Sequence, residues 1–212
     1  MAYVYERDPQ AIYRQSYATI EAEADLAVLP QALRPVAIRM IHACGMTDLP
    51  GDMAWRGDPI GAARQALAVG APILCDAQMV ASGIIKRFFP STNIRCDINA
   101  PGLADLAAKL GTTRSAAAVE LWRDGLENAI VVIGNAPTAL FHLIEMIEDG
   151  GPKPAAIFGF PVGFVGAAES KDALIAADLD VPCLTLRGRR GGSAIAAAAI
   201  NALSSEKLRG NL

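Results

Sequence analysis

The sequence is poor in the side chains from which metal and nucleophile chemistry is usually built. Its 212 residues include two histidines and four cysteines. Cys44, Cys75, Cys96 and Cys183 are scattered with no CxxC pair, which argues against both a zinc site and a disulfide framework. Two histidines are also too few for a His-built metal centre. There is no basic excess: 19 Lys and Arg face 22 Asp and Glu, a net charge of -3. That balance gives no reason to expect a nucleic-acid partner. The longest apolar run, residues 193–203, is mostly alanine and too short to span a bilayer. Charged residues begin at Glu6, Arg7 and Asp8, too early for a secretory signal, so the expected location is the cytoplasm. Familiar nucleotide and hydrolase motifs are missing too. There is no GxxxxGK[ST] and no GxSxG, and Gly159, Gly163 and Gly166 do not have GxGxxG spacing.

What is present is apolar. Hydrophobic residues make up 52% of the chain and charged ones 19%, suited to one domain over residues 1–212 with a sizeable core. Asp8-Pro9 and Asp58-Pro59 are N-cap and N1 pairs that open helices over 8–26 and from 58 to about 69. A second helix runs from 30 to 44, and 46–57 reads as a loop. Short apolar strands are then expected at 71–75, 93–98, 128–133, 155–158 and 182–186. Helices at 78–87, 101–109, 113–126, 138–148, 167–177 and 193–203 separate or follow them, and 204–212 reads as a fraying tail. Strands alternating with helices of this kind predict an α/β fold whose mostly parallel five-stranded sheet is covered on both faces.

The stretch Arg39 to Asp48 draws attention first. Leu33, Val36, Ala37, Met40, Ile41 and Cys44 recur at helical steps, and Gly45 stands where a C′ glycine ends a helix. Arg39 and His42, three apart, share a face and can meet one ligand. Carbonyls at the helix terminus favour imidazolium, which predicts a proton donor near neutral pH. A lone histidine in an Ala/Met-rich helix is also an ordinary hydrogen-bonded core residue, and these residues alone leave both readings open. His142, beside Phe141 and Leu143 in mid-helix, reads as structural.

In open α/β sheets ligands bind outside the carboxyl ends of the strands. Here those ends run into Asp76-Ala77-Gln78, Gly134 to Thr138, Gly159 to Phe164 and Arg187 to Ser193. Glycine-rich turns before helices offer backbone donors, and the Arg187 cluster offers fixed cations suited to carboxylates. Lys86-Arg87 and Arg114-Ser115 add basic residues near helix ends. Each loop taken singly needs glycine merely to turn. Several at one edge point to a large anionic ligand.

The motifs Ile12 to Ser16, Glu21 to Leu26, Arg39 to Gly45, Asp76 to Met79, Thr113 to Ala117, Gly134 to Thr138 and Arg187 to Ser193 occur in order along nearly the whole chain. Together they resemble the precorrin-8X methylmutase family. The resemblance implies a flavodoxin-like three-layer sandwich with extra N-terminal helices, and a homodimer with sites near the subunit interface. It also implies an isomerase of cobalamin biosynthesis that moves a methyl group from C-11 to C-12 of precorrin-8X, giving hydrogenobyrinate, with no cofactor and no metal. The family's histidine corresponds to His42, and Ser16 and Arg39 to substrate-contacting residues. A tetrapyrrole with many carboxylates also suits Lys86, Arg114, Ser115, Asn135, Thr138, Arg189, Arg190 and Ser193 as binding residues. Met46, Met79, Phe160 and Phe164 are candidate apolar walls. With that substrate, one acid is sufficient for a [1,5]-sigmatropic shift, and His42 is the expected acid. The remaining alternatives are cobalt-precorrin-8 as substrate and a corrin-binding protein without turnover. Hand-over of the tetrapyrrole to neighbouring pathway enzymes is a further expectation.

Overall fold

The computed structural model describes residues 2–204. The expected tail over 204–212 lies, beyond Ser204, outside the described residues. The helices are α1 (Pro9–Glu23), α2 (Arg34–Cys44), α3 (Pro59–Ala68), α4 (Gln78–Gly83), α5 (Leu103–Leu110), α6 (Arg114–Glu120), α7 (Pro137–Glu148), α8 (Ala167–Ala176) and α9 (Ser193–Asn201). The strands are β1 (Met53–Arg56), β2 (Ile73–Cys75), β3 (Ile94–Arg95), β4 (Ile130–Ile133), β5 (Ala156–Gly159) and β6 (Cys183–Leu186).

They form a single sheet of order β1-β6-β5-β4-β2-β3. The parallel part, β2 to β6, is the flavodoxin-like arrangement, with its topological switch between β2 and β4. The sheet has six strands, not five. Met53–Arg56, expected as loop, pairs antiparallel on β6 through Met53↔Leu186 to Arg56↔Cys183. Neighbouring glycines and a proline make this segment look like a turn, and only the edge of β6 gives it a partner.

Every residue of β4, β5 and β6 is buried, as expected for strands covered on both faces. Alternate side chains enter two cores. Ile130, Val132, Phe158 and Leu184 join α2, α3, α4 and α9 on one face. Val131, Ile133, Ile157 and Cys183 join α7 and α8 on the other.

Caps behave as their sequences predict. Asp8 accepts the Gln10 N–H, Asp58 that of Gly61 and Thr113 that of Ala116, while Gly45 closes α2 at φ 71°. Four helices are clearly shorter than expected: α2 begins only at Arg34, α1 ends at Glu23, α6 at Glu120 and α4 at Gly83. The last has a tertiary cause. A Cβ on Gly83 would sit 2.7 Å from the Ala197 methyl, so α4 and α9 touch there. Asn201 then accepts the Ile85 N–H at 2.8 Å and donates to the Gly83 carbonyl at 2.9 Å. The backbone leaves the helix without losing its hydrogen bonds.

One buried carboxylate joins the two strands at the switch. Asp76, directly after β2 and 2% exposed, accepts N–H bonds from Gly134, Asn135 and Ala136 at 2.9, 2.9 and 2.8 Å. Burial raises its pKa, and those three donors oppose the rise. Gly134 leaves no room for a side chain, since a Cβ would meet Val80 at 2.7 Å and Ala196 at 2.8 Å. The loops after β2 and β4 are therefore locked to each other and to the start of α9. Asp76→Ala leaves buried donors unpaired at about 1–3 kcal/mol each. A stability loss of about 3 kcal/mol or more in urea titration is expected, and a loss below about 1 kcal/mol would contradict this role.

Candidate functional site

Tyr13, Ser16, Tyr17 and Ile20 lie at i, i+3, i+4 and i+7 of α1, a single helical stripe. It faces the last turn of α2. Ser16 Oγ is 2.8 Å from His42 Nδ1, and the rings of Tyr13 and Tyr17 lie 5.5 and 5.3 Å from the imidazole. Arg39, one turn before His42, donates to the Tyr17 hydroxyl at 2.8 Å. Ser16, Arg39 and His42, named from the sequence, are thus brought together. Among the described residues His42 Nε2 has no hydrogen-bond partner. Beside it opens a cleft of about 410 Å³ lined by Ile12, Ser16, Thr19, Ile41, His42 and Thr47, among others.

The electrostatics differ from the helix-terminus argument. The His42 pKa is lowered, first by burial and then by the Arg39 guanidinium. Gly45 already satisfies the Ile41 carbonyl at 2.7 Å, so a carbonyl that would favour imidazolium is engaged by the cap. His42 is therefore a stronger acid than an ordinary histidine, and a smaller fraction of it is charged at neutral pH. The Ser16 hydroxyl can donate to neutral Nδ1 or accept from the protonated ring, so it fits both states.

The exit of α2 is tied to the loop after β6. Arg190 Nη1 donates to both Asp48 carboxylate oxygens at 2.8 Å, and Nη2 pairs with Asp52. This places His42 at the carboxyl edge of the sheet. Arg190 is therefore committed to two carboxylates of its own chain, whereas the sequence suggested a group open to ligand. Arg189 is the exposed neighbour, its guanidinium 5.4 Å from the Phe164 ring centre. Phe164 and Met79 are 85% and 74% exposed, but Phe160 is fully buried and cannot form a ligand wall.

A second group gathers along the same edge. Thr113 and Thr138 hydroxyls are 2.8 Å apart, joining the starts of α6 and α7. Arg114 donates to the Ile98 carbonyl at 2.7 Å, with Ser115 half-buried beside it. Asn135 is exposed above Asp76, and Ser193 opens α9 against Gly134. Lys86 is elsewhere. It lines a cavity of about 450 Å³ with Arg87, Phe89 and Asn93, on the approach to the amino end of β3. Sequence reasoning did not single out Tyr13 and Tyr17, although their i, i+4 spacing around Ser16 was a signal. Asp48 and Asp52, the partners of Arg190, carried no local signal at all.

A family model described as precorrin-8X methylmutase matches residues 11–206. The chain belongs to the precorrin-8X methylmutase family. A precorrin-8X methylmutase of Pseudomonas aeruginosa is 57% identical over 96% of this chain and 98% of its own. One from a Sinorhizobium species is 52% identical over 95% and 97%. A cobalt-precorrin-8 methylmutase of Methanocaldococcus jannaschii is 37% identical over 78% and 75%. The crystal structure of the precorrin-8X methylmutase of Thermus thermophilus superimposes with a TM-score of 0.84 at 34% identity, covering 96% of this chain and 98% of the other. Methylmutases of this family are isomerases, so the edge carrying His42 belongs to an enzyme fold.

The two adjacent arginines are expected to behave differently. Arg190→Ala breaks a paired, partly exposed network and should lower stability by about 1 kcal/mol. Arg189→Ala should leave the melting temperature within error and weaken binding of a polycarboxylate ligand. Thermal melts of the two variants check this, and equal melting temperatures would contradict it.

Proposed function

We propose that this chain is a precorrin-8X methylmutase in which His42 is the general acid. The observation that carries this is the placement of His42. It is hydrogen-bonded to Ser16 through Nδ1, flanked by two tyrosine rings and lines a cleft at the carboxyl edge. Protonating a ring nitrogen makes the conjugated system more electron-poor and lowers the barrier to methyl migration. The bond from the methyl carbon to C-11 breaks as its bond to C-12 forms, and the proton then returns to His42, so the net reaction is an isomerisation. General acid catalysis contributes about 10²–10⁴-fold, and holding the macrocycle in a reactive geometry supplies the remainder.

Arg39, Arg114, Arg189, Asn135, Thr138, Ser115 and Ser193 would receive the peripheral carboxylates, with Met79 and Phe164 against the ring. Lys86, on the approach to the amino end of β3, would do so only if the ligand reaches beyond that edge. No cofactor is required by this chemistry. The metal-free substrate is favoured over cobalt-precorrin-8 because the two relatives named for the metal-free reaction are 57% and 52% identical. Cobalt-named relatives are 35–39% identical. No helix among the described residues is long and apolar enough to cross a membrane. The cytoplasm is the proposed place of action. The whole chain would act as one domain and pair as a homodimer. Ile12 and Tyr13, 46% and 39% exposed beside the cleft, are suited to a second copy, and the product would pass to the next enzyme of the pathway.

The test is direct. Substoichiometric protein should convert precorrin-8X to hydrogenobyrinate, read from the visible spectrum; binding without turnover would leave only a carrier. His42→Ala should fold and bind hydrogenobyrinate near normally while losing about 10²-fold or more in rate. A stable variant with near-normal rate would overturn the assignment of the acid.

A further inference from the structure

The buried stripe of α8 is Ala167, Ser170, Lys171 and Leu174, the i, i+3, i+4, i+7 face that packs inward. A lysine in that stripe is unusual, because a charged side chain is almost never fully buried unless it is paired. Lys171 is 0% exposed. Its Nζ donates to the Arg190 carbonyl at 2.6 Å. The charges that face it are Asp172 on its own helix and Asp52 from the segment entering β1, and both favour the ammonium against burial. Burial nonetheless lowers its pKa to about 8.

The surrounding bonds show what this lysine holds. Asp172, the next residue, pairs with Arg187 at 3.6 Å. The Arg187 N–H bonds to the Asp52 carbonyl at 2.8 Å, and the Gly192 N–H to the Phe160 carbonyl at 2.8 Å. Arg190, whose carbonyl accepts the Lys171 hydrogen bond, grips Asp48 and Asp52 with its guanidinium. The loop over Arg187 to Ser193 is thus fixed from α8, from the exit of α2 and from the end of β5. Thr47, beside Asp48, lines the His42 cleft. Arg189 lies between the fixed points with its guanidinium over Phe164.

We propose that Lys171 is a positioning residue: from a core site on α8 it fixes the main chain at Arg190, which locks the His42 helix exit and holds Arg189 outward to receive a substrate carboxylate. The lysine touches neither substrate nor the reacting atoms. It keeps the carboxylate rim in register with the acid, and the exposed arginine is aimed with an aromatic ring beneath it but no carboxylate partner among the described residues.

This rests on the methylmutase reading, and the two fail differently. Absence of turnover by the unmodified protein would reject that reading, whereas the present proposal is tested by variants of an active enzyme. Lys171→Met keeps the length of the side chain and removes the donor. It should raise the hydrogenobyrinate dissociation constant and KM about tenfold, as for loss of one charge-assisted contact. The rate at saturation and the fall in rate with rising pH assigned to His42 should be retained. Combined with Arg189→Ala, the loss of affinity should be clearly smaller than the product of the single losses, because Lys171 acts through the loop that carries Arg189. Asp48→Asn loosens the exposed end of the same chain of contacts and should give the same non-additivity, so the cycle can be read even if Lys171→Met does not fold. Losses that multiply independently in the cycles, or a change in melting temperature with unchanged affinity, would overturn the proposal.

Discussion

The carboxyl edge of the sheet depends on buried polar groups that satisfy it from within. Asp76 is the plainest case. Burying a carboxylate is costly unless its oxygens are filled, and three backbone N–H groups of the loop after β4 fill them. In a doubly wound sheet the same switch point commonly presents such N–H groups to a ligand anion. Here the protein supplies the anion itself. The loop is rigid before any ligand arrives, and the site is not built to bind a phosphate at that spot. Under the proposed function, ligand carboxylates would be met further out, by exposed side chains such as Arg189 and Asn135.

The same logic explains the arginines. A row of cations at a sheet edge would repel itself and wander. Pairing Arg190 with Asp48 and Asp52 commits its charge within the protein, the exposed Arg187–Asp172 pair adds a looser tie, and together they fix the loop that presents the third arginine. The acid is arranged in the opposite way. His42 is partly buried, has aromatic neighbours and a cationic one, and has no carboxylate partner among the described residues, so burial and Arg39 destabilise its imidazolium and it gives up its proton readily. A polycarboxylate substrate brings the missing negative charge with it. If His42 is the acid, as proposed, it would be charged most readily when the ligand is present.

Local chemistry was legible in the sequence wherever a residue acts on its own neighbours. The Asp-Pro helix starts, the Gly45 stop and the buried strands all follow from spacing and composition. Arg39 shares a helix face with His42 by its spacing, but the pairing of Ser16 with His42 came from family motifs, not from physics, because nothing in residues 8–26 states which helix they will meet. The edge strand Met53–Arg56 was hidden for the same reason: it is a strand only because β6 offers an unpaired edge. Asn201, which ends α4, and Asp48 and Asp52, which occupy Arg190, are separated from their partners by 116 to 142 residues. Phe160 was read as a wall because it follows a strand end, yet it turns into the core. The direction of the His42 shift was misjudged because burial and Arg39 outweigh a helix terminus whose Ile41 carbonyl is already capped.

The central claim is that a weakly basic, partly buried imidazole delivers a proton to a macrocycle bearing many carboxylates. The pH dependence of steady-state turnover of precorrin-8X tests it most directly. In the free enzyme the charged form of His42 is lost above a pKa below the ordinary histidine value of about 6.5. The plot of kcat/KM should therefore be highest on the acid side and fall as pH rises through that lowered value. Bound carboxylates stabilise the imidazolium, so the corresponding fall in kcat should lie at higher pH. A profile that is flat from about pH 5 to 8, or a rate that climbs as the histidine loses its proton, would contradict a proton donated by His42.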